Sequence, residues 1–95
     1  MMVNSLKPRL VTGNLKKKGF REDERHDHIW YVLYIDGKQT NIRTKVSHNS
    51  NDLGISLIKK MADQLKIDTD TFVDLVTCKI DGQEYRTILE RKKIL

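Results

Sequence analysis

Asp36-Gly37, set between His28-Ile-Trp-Tyr-Val-Leu-Tyr-Ile35 and Lys38-Gln-Thr-Asn-Ile-Arg-Thr-Lys-Val46, constrains this chain more than any other feature. A type I′ turn requires positive φ at both central positions, which Asp and Gly tolerate, and its twist matches that of the strands it joins. The stretch therefore reads as a β-hairpin. Its first strand is apolar at both alternations, Ile29, Tyr31, Leu33 and Ile35 against Trp30, Val32 and Tyr34, as expected of a central strand covered in part on both sides. In the second, Thr40, Ile42, Thr44 and Val46 alternate with Gln39, Asn41, Arg43 and Lys45, so the latter set shares one polar, basic face.

The flanking segments supply the rest of one domain. Residues 4 to 19 read as a helix, with Ser5 as its cap, Pro8 in the first turn and Leu6, Leu10, Val11 and Leu15 as its apolar stripe. Lys16, Lys17 and Lys18 complement the negative end of its dipole, and Gly19 stops it. Phe20 to Arg25 reads as a short charged strand. A helix from about Asp52 to Lys66 follows, with Leu53, Leu57, Ile58, Met61, Ala62 and Leu65 at helical spacing. Asp68-Thr-Asp-Thr opens another around Phe72, Leu75 and Val76, Asp81-Gly82 marks a turn, and Glu84 to Ile94 reads as a last helix. The expected class is α+β, an α-β-β-β-α unit over residues 1–67 with an antiparallel three-stranded sheet, and a helical C-terminal extension over 68–95 packed on it.

A chain of 95 residues supports a single modest core and no separate cofactor domain, so no cofactor is expected. The net charge of +5 favours polyanions, nucleic acid first among them, although a basic, solvated surface explains it equally. Cys78 is the only cysteine, so an internal disulfide is excluded, and it reads as a small buried hydrophobe. No apolar run is long enough for a membrane span, and the start lacks the charged-then-apolar pattern of a signal peptide. A cytoplasmic protein without membrane contact is expected.

All three histidines, His26, His28 and His48, fall at the ends of the two hairpin strands. Pairing carried back from the turn as Ile35 with Lys38 sets Ile29 opposite Thr44 and His28 opposite Lys45. It thereby gathers His26 or His28, Lys45 and His48 at one edge of the sheet. Cleavage of RNA without a metal needs a base of near-neutral pKa for the 2′-hydroxyl proton and an acid or cation for the phosphorane and leaving oxygen, work suited to His beside Lys or Arg. Other readings remain open. The histidines also have the spacing to bind a metal on one strand face, although no metal site is expected, or simply satisfy backbone groups at strand and helix ends. Trp30, Tyr31 and Tyr34 read as core residues of a central strand or as stacking surfaces for bases.

Lys18-Gly19-Phe20, His28-Ile29-Trp30-Tyr31, Asp36-Gly37-Lys38, Thr44-Lys-Val-Ser-His48 and Asp52-Leu53 leading to Leu57-Ile58 and Leu65 occur in an order that resembles the HicA family of toxin components. The resemblance spans roughly residues 5 to 67. It implies an mRNA interferase with a fold like the double-stranded RNA-binding domain, RNA as substrate and an antitoxin as protein partner. In that family a Gly-Ser-His run before the apolar-aromatic pair carries the histidine credited with cleavage. Here the run is Arg25-His26-Asp27, which puts Asp27 at the family position, or His28 if the register slips by one residue. The expected function is therefore RNA binding, with metal-independent endoribonuclease activity as its enzymatic form and a non-catalytic interaction module as the alternative. Catalysis would fall to His28, His26 and His48, and phosphate contacts to Arg43, Lys45, Lys59, Lys60 and Lys18.

Overall fold

At the hairpin turn Asp36 and Gly37 take φ of 52° and 79°, the pair of left-handed residues that a type I′ turn demands. The computed structural model describes residues 5–25, 28–47 and 52–95. Among these the order is β1 (Ser5–Leu6), α1 (Pro8–Lys17), β2 (Phe20–Arg25), β3 (His28–Ile35), β4 (Lys38–Ser47), β5 (Leu53–Gly54), α2 (Ile55–Gln64), α3 (Thr69–Val76) and α4 (Gly82–Arg91). Strands β2, β3 and β4 form an antiparallel sheet with β3 in the middle, and β1 pairs antiparallel with β5. This is an α+β domain. No helix among the described residues is long and apolar enough to cross a membrane.

The ladder between β3 and β4 departs from the expected pairing. Ile35 lies opposite Lys38 and Tyr34 opposite Gln39, but the register then shifts, so that Val32 faces Arg43, Trp30 faces Lys45, Ile29 faces Val46 and His28 faces Ser47. The irregularity is held by Thr40, whose hydroxyl donates to the Leu33 carbonyl at 2.8 Å and accepts from the Ile42 amide at 3.2 Å. A bulge leaves backbone groups unpaired by the ladder, and this one side chain serves one of each kind. His28 is consequently two residues away from its expected partner Lys45, and Trp30 takes that place.

The inner face of the sheet carries Phe20, Tyr31, Leu33, Ile42 and Val46, which join one core cluster with Val11 and Leu15 of α1, Ile58 and Met61 of α2, Phe72, Leu75 and Val76 of α3, and Tyr85 and Leu89 of α4. The two C-terminal helices thus share the core of the sheet. Tyr85 stacks on Phe20 at a centroid distance of 5.9 Å and donates its hydroxyl to the Leu65 carbonyl at 2.8 Å. Asn14, buried on α1, donates Nδ2 to the Val76 carbonyl at the end of α3.

Helix boundaries follow local chemistry. Pro8 occupies the first helical position after an extended Lys7, where its missing N–H costs nothing. Ser5 is therefore not the cap; with Leu6 it pairs with β5 instead, and Leu6 is buried there. For the same reason α2 begins at Ile55, because Leu53 and Gly54 are engaged by β1. Asp81-Gly82, expected as a turn, begins α4: Asp81 accepts from the Glu84 amide, and Glu84 reaches back to the Asp81 amide in a capping box. Asp68 caps α3 by accepting from the Thr71 amide at 2.7 Å.

Candidate nucleic-acid interface

The shifted register aligns the outer face of the sheet into rows. Arg21, Val32 and Arg43 form one, Asp23, Trp30 and Lys45 the next, and Arg25 and His28 the third. The Arg43 guanidinium lies 4.7 Å from the Trp30 ring centroid and the Lys45 ammonium 5.8 Å from it, while the Arg21 guanidinium lies 4.1 Å from the Tyr34 centroid. Cations over aromatic faces are attracted by the ring quadrupole. Val32, in the middle of this face, is only 3% exposed yet stands apart from the core cluster. The stems and rings of its neighbours therefore cover it from the outside. Asp23, the acidic residue of these rows, is paired with Arg25 at 3.0 Å.

At one end of the sheet, His28 of β3 and Lys45 of β4 line a cleft of about 210 Å³ together with Leu57, Lys60, Met61 and Gln64 of α2. Gln64 is positioned from below, its Oε1 accepting from the Thr44 hydroxyl at 2.6 Å on the buried inner face. The His28 Nδ1 is buried and has no hydrogen-bond partner among the described residues. Leu57, expected as part of the apolar stripe of α2, is 46% exposed and supplies the apolar wall of the cleft with Met61. An imidazole beside two ammonium groups is a combination that holds a phosphodiester and moves protons at it.

The cleft thus unites His28, Lys45 and Lys60 of the residues expected from sequence. Arg43 stands one residue pair further along the outer face, over Trp30, and Lys59 is exposed on α2 without lining the cleft. His26 and His48 lie outside the described residues. Lys18 does not join the others: its ammonium donates to the Ile80 carbonyl at 2.8 Å, fastening the end of α1 to the segment before α4. Lys16 is likewise engaged, in an ion pair with Glu22 that holds this carboxyl below its usual range.

Tyr31 is not a stacking surface. It is buried on the inner face, where desolvation first and the Glu22 carboxylate second push its hydroxyl up to about 12, and it donates to Glu22 at 3.2 Å. Trp30 and Arg21 gain their importance from the register shift and from a strand that looked merely charged. Among the described residues no group of three or more His, Cys, Asp or Glu side chains converges as a metal site.

No protein-family model, no curated protein and no solved structure matches the chain.

Proposed function

We propose that this chain is an RNA-binding protein of the HicA-like, double-stranded-RNA-binding-domain-like kind. The observation that carries the reading is the meeting of Lys45 and Lys60 with His28 in one cleft, next to the row that holds Arg43. Phosphate binding by clustered Lys and Arg supplies most of the affinity for nucleic acid, and the net charge of +5 has the sign it needs. The order of helix, three antiparallel strands and helix over 8–64 agrees with the fold that the resemblance implies. Lys59, exposed on α2, extends the phosphate surface.

The same cleft favours cleavage as the activity. In this reading the 2′-hydroxyl attacks the adjacent phosphorus, His28 takes up its proton, Lys45 and Lys60 stabilise the charge on the phosphorane, and the P–O5′ bond breaks to give a 2′,3′-cyclic phosphate and a 5′-hydroxyl whose oxygen takes its proton from water. A partner that seats on the cleft and neutralises the lysines would act as an antitoxin. The test is incubation of the purified chain with cellular mRNA, with and without EDTA, beside a His28→Ala variant whose fold is checked by circular dichroism. Cleavage that survives EDTA and disappears in His28→Ala supports the enzymatic reading. Binding with no cleavage leaves an RNA-binding module, and absence of binding contradicts the proposal.

A further inference from the structure

We infer that the outer face of the sheet is a stacking platform for the unpaired bases of single-stranded RNA, with Trp30 as its principal stacking residue. The inference rests on the RNA-binding reading and adds the strandedness of the ligand and the face that receives it. Alternation in β3 puts Trp30 and Tyr34 on this face, on opposite sides of the buried Val32 and roughly 13 Å apart along the strand. Both rings lie under cations, Trp30 under Arg43 and Lys45 and Tyr34 under Arg21. At a partly exposed site such contacts are weak and are exchanged readily for a base, after which the displaced guanidinium is free to close over it or to meet a phosphate.

Charge complementarity selects the occupant. Arg21, Arg43 and Lys45 face outward, and Asp23 and Arg25 in the same rows are paired with each other. A polyanion that also offers flat π-surfaces satisfies both the cations and the rings. A duplex does not, because its bases are stacked on one another and present only edges and backbone. Lys45 joins the two regions: it lies over Trp30 and also lines the cleft, so a strand laid over the platform leads its backbone to His28 and Lys60.

Trp30 is the only tryptophan in the chain, so its emission reports this face alone. The experiment titrates the full chain with single-stranded polyuridylate and with the polyadenylate–polyuridylate duplex, following tryptophan emission and, separately, retention of labelled RNA on a filter. The single strand is expected to quench Trp30 as it binds and to bind more tightly than the duplex. Trp30→Ala should weaken single-strand binding roughly 5- to 150-fold, the range expected for loss of one stacked base, and Trp30→Phe should retain most of the affinity. Should Trp30→Ala fail to fold, quenching of the parent chain and weakened binding by Arg43→Gln decide the matter. Binding with unchanged emission, or a duplex bound as tightly as the single strand, would overturn the platform while leaving RNA binding intact. A chain that retains neither RNA would overturn both.

Discussion

Tyr85 stacks on Phe20 at 5.9 Å between ring centroids, with the ring planes inclined by 27°. This contact joins the first residue of β2 to the middle of α4, so the last helix closes the core that the sheet opens. Burial of the ring and its hydroxyl pushes the Tyr85 phenol well above its ordinary range, and that hydroxyl is satisfied by the Leu65 carbonyl. Truncation after Ile67 is therefore expected to unfold the chain, as seen by loss of the cooperative urea transition. Tyr85→Phe should cost about 1–3 kcal/mol, because the Leu65 carbonyl then loses its partner, and Tyr85→Ala about 3–5 kcal/mol.

Three helices end on a non-glycine residue in the left-handed region, with φ of 66° at Lys66, 65° at Cys78 and 59° at Lys93; Cys78, expected to be buried, is exposed because it forms this helix end. In each case the following amide bonds back across the turn, Ile67 to the Ala62 carbonyl, Lys79 to Asp74 and Ile94 to Leu89. This is the Schellman arrangement, whose favoured residue is glycine. Lys66→Gly and Cys78→Gly are expected to raise stability, by about 0.5–1 kcal/mol each, since relief of the left-handed strain exceeds the added freedom of the unfolded chain. Urea midpoints of the single variants and of the pair, which should add, provide the check.

The bulge offers a sharper test of local structure. Thr40→Val removes the hydroxyl that serves both the Leu33 carbonyl and the Ile42 amide, and should cost about 1–3 kcal/mol although the volume is unchanged. Thr40→Ser keeps the oxygen and should cost less than half as much by the same urea measurement.

Acid should weaken the fold through two carboxylates. Hydrogen bonds from Thr71 lower the Asp68 pKa, and the Lys16 ammonium lowers that of Glu22. A carboxyl depressed in the folded state stabilises at pH values above its unfolded pKa, and that contribution disappears as pH falls through the folded value. Melting temperature should therefore drop below about pH 5. Asp68→Asn, which keeps a good cap, and Glu22→Gln should each make that drop shallower.

Much of this architecture is legible from single residues. Asp36-Gly37 fixes a turn because few other pairs accept two positive φ values, and Asp68 marks a helix start because its side chain meets an amide three residues on. Three features are hidden for identifiable reasons. The two-residue ladder between β1 and β5 joins positions far apart in the chain with no alternation to announce it, and it shortens both α1 and α2. Asn14 takes a core position on α1 while Leu10 is 41% exposed, because the amide finds the Val76 carbonyl, a partner that helical spacing does not reveal. The bulge, where the Thr40 hydroxyl meets the Leu33 carbonyl and the Ile42 amide, has no signal in the alternation, and beyond it Trp30, not His28, stands opposite Lys45. At the candidate site, the structure brings His28, Lys45 and Lys60 to one cleft and leaves Lys18 apart on the Ile80 carbonyl, a difference that sequence does not reveal because a cation at a helix end looks the same whether it meets phosphate or a carbonyl.

The most direct test of the account is the salt dependence of RNA affinity. For the parent chain, log Kd against log salt should be steep, and Lys45→Ala and Lys60→Ala should each reduce the slope by about 0.7, the value of one phosphate contact on a single strand. Lys18→Ala should leave the slope unchanged, since its ammonium is committed to Ile80. A parent slope near zero, or slopes that ignore Lys45 and Lys60, would contradict an RNA surface at this face and cleft.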